Sequence, residues 1–142
     1  MTANSAIKSS FDQILEAAAL GYAISWPGPT GTDAAGNAVN PFETPTGAGA
    51  VWLEVTFMPN RGVDDRLAND GYVSPQGMYQ VTVVGRPQPE IRLRVVAEQV
   101  QAAFPKGTRI SGNIRVGSHP YTTSVLIEAD RMRLPVTIEY SE

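Results

Sequence analysis

The feature that most constrains this chain is strict two-residue alternation between apolar and mixed side chains. In residues 51–58, Val51, Leu53, Val55 and Phe57 fall on one side, and Trp52, Glu54, Thr56 and Met58 on the other. Successive side chains of an extended strand point to opposite faces, so this period reads as a strand with one face on a core and the other on a surface. The same pattern recurs at 78–84, where Tyr79, Val81 and Val83 alternate with Gln80 and Thr82. It recurs again at 134–140, where Leu134, Val136, Ile138 and Tyr140 share a face. Pro135 points to an edge or strand-start position, since it cannot donate to a ladder. Shorter strands are expected at 22–26, at 108–116 with Gly112 marking a bulge or crossing, and at 124–129.

Two segments carry a helical period instead. In residues 3–20, Ile7, Phe11, Ile14, Leu15 and Ala18 recur at steps of three and four, which lines up one apolar stripe. Asn4 or Ser5 is placed to cap it, and Gly21 to end it. In residues 89–104, Leu93, Val96, Val100 and Ala103 or Phe104 form the stripe, and Ile91 and Val95 are expected to widen it. Pro105 and Gly107 stop this helix.

The resulting order, α-β-β-β-α-β-β-β, predicts an α+β domain: a mostly antiparallel sheet with two helices packed on one face. Its 142 residues make one domain, and a chain of this length buries roughly 68% of its unfolded surface. Two long loops interrupt the scaffold. Residues 27–49 hold five glycines and four prolines, and are expected to form a flexible connection with Phe42 tucked against the body. Residues 60–77 are rich in charge, with Arg61, Asp64, Asp65, Arg66 and Asp70.

The chemistry-bearing residues do not converge. His119 is the only histidine and cysteine is absent, so neither the ligand sets of structural zinc nor thiol catalysis is available. His119 lies in the turn-like Gly117-Ser118-His119-Pro120. Asp64, Asp65 and Asp70 lack the spacing of a calcium loop. The glycines at 28, 31 and 36 are not followed by the Lys-Ser/Thr of a phosphate loop, and no Gly-x-Ser-x-Gly elbow is present. The net charge of −3 argues against a nucleic-acid grip, which needs clustered cations. No apolar run approaches the ~20 residues of a membrane helix. No catalytic residue, cofactor or metal is expected. What remains are the long loops and the mixed face at Trp52, Glu54 and Thr56, which fit either contacts to other chains or plain exposed loops and an ordinary sheet face.

A helix ending in Ala-Leu-Gly and a strand ending in Ser25-Trp26-Pro27 are followed by Pro41-Phe42-Glu43-Thr44-Pro45-Thr46-Gly47 and Trp52-Leu53-Glu54-Val55-Thr56-Phe57-Met58-Pro59. Then come Gly77-Met78-Tyr79-Gln80-Val81-Thr82-Val83, Phe104-Pro105-Lys106-Gly107 and Leu134-Pro135-Val136-Thr137-Ile138-Glu139-Tyr140. In order and spacing this series resembles the phage tail-terminator-like family across nearly the whole chain. The resemblance implies a tail-terminator-like fold and a structural role in the virion, with assembly in the host cytoplasm. The implied protein forms a six-fold ring on the head-proximal end of the tail tube, stops polymerisation and presents a surface to the head connector. Its partners would be copies of itself, the tail tube protein and the connector, with DNA passing the lumen unbound. The expected subunit or tube interface is Trp52, Glu54, Thr56, Arg61, Asp64, Asp65 and Arg66. The expected docking loop carries Gly28, Thr30, Asp33, Asn37 and Asn40. The competing readings are a head–tail joining or tail-completion protein of similar fold, and a small ligand-binding or hydrolase α+β domain, which would need a deep pocket of convergent polar groups.

Overall fold

The structure, a computed structural model, describes residues 4–27, 31–32, 34–39, 42–60 and 74–142. Helix α1 spans Asn4–Ala17 and is followed by β1 (Ala23–Ser25). A small hairpin, β2 (Gly31–Thr32) and β3 (Ala38–Val39), stands as a two-stranded sheet of its own. The long strands β4 (Val51–Pro59) and β5 (Gln76–Gly85) come next, then α2 (Glu90–Ala103). The chain ends with β6 (Arg109–Ser111), β7 (Ile114–Val116), β8 (Tyr121–Thr122), β9 (Leu126–Ile127) and the long β10 (Met132–Ser141).

The main sheet runs β1-β4-β5-β10-β7-β6, with β8 and β9 also pairing β10. Only β1 pairs in parallel, with β4; the other ladders of this sheet are antiparallel. This is the expected α+β arrangement with one parallel edge. The stretch 108–116 is a tight hairpin: Gly112 adopts φ 54° in a two-residue turn with Asn113, where positive φ favours glycine. A register shift between Arg109 and Ser111 supplies the irregularity as well. Of the stretch 124–129, residues 126–127 form β9; β8 precedes it at 121–122, and both are laid along β10.

Pro135 is not at an edge. It lies in the middle of β10, opposite Thr82 of β5. On the other side of β10, β9 reaches Arg133 and β8 begins at Val136. Pro135 sits at that break, where no ladder partner needs its missing N–H.

The core lies between the helices and one sheet face. Ile7, Phe11 and Leu15 of α1, and Leu93, Val96, Ala97 and Val100 of α2, pack on Leu53, Val55, Tyr79, Val81, Val83, Leu134, Val136 and Ile138. Phe11 stacks on Tyr79 with ring centroids 4.5 Å apart, a geometry that adds to simple area burial. The Tyr79 hydroxyl donates to the Asp12 carboxylate, which also accepts from Lys8, so α1 is pinned to β5 by a polar contact as well as by its apolar stripe. Ile91 and Val95 do not widen the α2 stripe: they are 64% and 48% exposed. At 100° per residue they stand opposite Leu93 and Val100, and Ala97 completes the buried face in their place. Gly77 is required at its position. A Cβ there would lie 2.6 Å from the Tyr140 hydroxyl and 2.8 Å from the Met58 carbonyl.

Candidate functional site

The opposite face of the sheet carries no helix from among the described residues. Its side chains form rows across β4, β5 and β10, set by the ladder register: Trp52, Val84 and Arg133; Glu54, Thr82 and Pro135; Thr56, Gln80 and Thr137; Met58, Met78 and Glu139. The alternation in the sequence thus places Trp52, Glu54 and Thr56 on one face, as expected.

Trp52 does not act as expected. It is fully buried, although it lies outside the core cluster. The Arg86 and Arg131 guanidinium groups lie over its ring at 5.3 and 5.7 Å from the centroid, a cation–π arrangement on the best aromatic acceptor. The indole N–H donates to Glu54 at 3.4 Å. Around this ring three arginines and three carboxylates interlock. Arg133 bonds Glu54 and, at 2.9 Å, Glu128. Arg131 reaches Asp130 at 3.1 Å, and Arg86 lies 3.6 Å from the same carboxylate. Arg86 also donates to the Pro45 carbonyl at 3.0 Å, fastening the segment before β4. Burial opposes the Arg133 charge, but hydrogen bonds and charges from Glu54 and Glu128 outweigh it and hold its pKa above the ordinary arginine value. The Arg131 hydrogen bond holds Asp130 below the usual carboxylate range. The long side chains at this end of the face are therefore held within the subunit, with Trp52 as their buried support.

The middle of the face is polar. Gln80 donates to the Thr137 hydroxyl at 3.3 Å, and Thr82 and Thr137 are buried. At the far end the Glu139 carboxylate accepts from Ser118 and from Tyr121, each at 3.2 Å. Beside it lies an open cavity of about 420 Å³ walled by Gln76, Met78, Gly117, Ser118, Glu139 and Ser141, among others. His119 is exposed in the turn before β8. No group of three or more metal-ligating side chains occurs among the described residues, and no described helix is long and apolar enough to cross a membrane.

Of the remaining expected site residues, Asn37 is described and exposed beside the β2–β3 hairpin. Gly28, Thr30, Asp33, Asn40, Arg61, Asp64, Asp65 and Arg66 lie outside the described residues. Phe42 is half-buried. The cluster of Arg86, Glu128, Asp130, Arg131 and Arg133 escaped sequence reasoning. Arg133 lies just before the alternating stretch 134–140, and only the strand register shows that it shares a row with Trp52.

The profile of the phage tail terminator proteins matches residues 4–140. The chain belongs to the phage tail terminator family. No curated protein matches it significantly, whereas three chains of solved structure do. One, whose title states no function, has a TM-score of 0.69 at 21% identity over 99% of this chain and 96% of that one. Another comes from the virion of a native gene transfer agent particle, with a TM-score of 0.55 at 16% identity over 94% of this chain and 92% of that one. Both likenesses concern the fold. Membership of this family makes the chain a phage tail structural protein.

Proposed function

We propose that the protein caps the head-proximal end of the phage tail tube as a ring of identical subunits, six by the family resemblance, halting tube growth and offering a docking surface to the head connector. The observation that carries this reading is the sheet face that no helix covers among the described residues. Its long polar side chains are locked by Trp52 and the arginine–carboxylate cluster, which suits a surface that meets another protein with little ordering cost on association. A closed ring needs two different patches per subunit, meeting head to tail, and this face supplies one. Glu54 and Thr56 belong to it. The segment with Arg61, Asp64, Asp65 and Arg66 and the loop with Gly28, Thr30, Asp33, Asn37 and Asn40 are the further contacts to the neighbour, tube or connector. The mildly acidic composition lets DNA pass the lumen without adhering. Negative-stain microscopy of the purified protein with and without tail tubes tests the reading. Rings, or tubes of uniform length closed at one end, are the expected result. Tubes that keep growing in its presence, with no ring at any concentration, would sink it. Binding to completed heads without any effect on tube length would favour a head–tail joining role.

A further inference from the structure

The cavity beside Glu139 has a carboxylate in its wall. None of the nine residues that line it is basic. Its one carboxylate is held in place by the Ser118 and Tyr121 hydroxyls, and Gly117 keeps the wall open, since a Cβ there would come within 3.2 Å of the Ser141 hydroxyl. A volume of about 420 Å³ accommodates a long side chain but is small for a folded element.

The cations of the described residues divide into three groups. Lys8, Arg86, Arg94, Arg131 and Arg133 are already ion-paired within the subunit. Lys106, Arg109 and Arg115 stand at the same end of the molecule as the cavity. Arg115 is opposite Ser141, Arg109 is opposite Arg115, and the N–H after Lys106 bonds Val116. Arg92 remains. It is exposed on α2, and its guanidinium lies near Gly49, at the end of the sheet where β4 begins and β10 starts. The cavity is at the other end, where β4 finishes at Pro59 and β10 at Ser141. The ladder separates the two ends by roughly 25 Å. They also lie on opposite sides of the sheet, Arg92 with the helices and Glu139 on the other face.

Two complementary groups at opposite ends and faces cannot meet within one subunit, but a head-to-tail contact between copies can bring them together. We propose that the Arg92 guanidinium of one copy enters the Glu139 cavity of the next. This rests on the ring reading and names one contact that closes it. A guanidinium brings five donors in a fixed fork, matching a site rich in oxygen acceptors, and charge-assisted bonds of this type are the strong ones.

The test is a charge swap in the full chain, assembled with and without tail tubes and read by sedimentation and microscopy. Glu139→Arg and Arg92→Glu are each expected to weaken ring formation about tenfold or more, and the double variant to recover most of that loss. Glu139→Gln should weaken assembly less and flatten its dependence on salt. Both positions are exposed, so far-UV circular dichroism and thermal midpoints should stay at the wild-type values. Wild-type ring stability in both single variants, or a double variant no better than the weaker single one, overturns the contact while leaving the ring in place. Absence of rings in the wild-type protein overturns the ring reading and the contact with it.

Discussion

Tyr79 shows how one side chain joins the packing of the core to its response to pH. Burial, the hydrogen bond to Asp12 and the Asp12 charge all raise its pKa above the ordinary tyrosine value, and burial raises that of Tyr140 as well. A folded pKa above the unfolded one means that the unfolded chain releases its proton first as pH rises. The stability these phenols contribute is complete below about pH 10, the unfolded tyrosine range, and is lost above it. The urea midpoint should therefore fall between about pH 9 and about pH 11, and Tyr79→Phe should make that fall shallower. An identical alkaline slope in the variant would show that Tyr79 does not carry it. Trp52 teaches a different lesson at the same scale. Alternation gave its face correctly and its exposure wrongly, because two arginines, one just before β10 and one in the β5–α2 turn, cover it. Coverage by residues 34 and 79 positions away is not a property of local sequence.

At the scale of elements, period was the readable quantity and partnership was not. Both helices and all three long strands stand where their periodicities put them, because each buries one face on the core. Ile91 and Val95 were misread for a physical reason: helix periodicity shows which residues share a stripe, and two apolar residues on the far side of α2 mimic a wider one. Replacing them with Glu and Lys should change folding stability by less than about 0.5 kcal/mol, whereas Leu93→Ala should cost about 2–5 kcal/mol. Urea denaturation of the two variants separates the cases, and a large loss in the surface variant would return both residues to the core. Pro135 was misplaced because a proline marks a missing donor, and an interior strand can hold one where its neighbours leave a gap. The shortening of the 124–129 stretch to β9, the additional strand β8 before it, and the parallel pairing of β1 depend on register with β10 and β4.

For the whole molecule, the sequence carried the family and the general kind of surface. It pointed to the face that bears Glu54 and Thr56, but not to the Glu139 cavity, which exists only once β5, β7 and β10 are laid side by side. The charged segment gives the broadest test of assembly. Replacing Asp64, Asp65 and Arg66 together with alanine should weaken ring formation while leaving the thermal midpoint of the subunit near the wild-type value. Ring formation of undiminished strength, measured by analytical ultracentrifugation, would remove these residues from the interface.

The outermost strands of the main sheet, β1 and β6, are only three residues long each. Short borders offer few free backbone groups on which a stray chain could template itself. A free subunit is thereby guarded against fibrous self-association through its sheet borders.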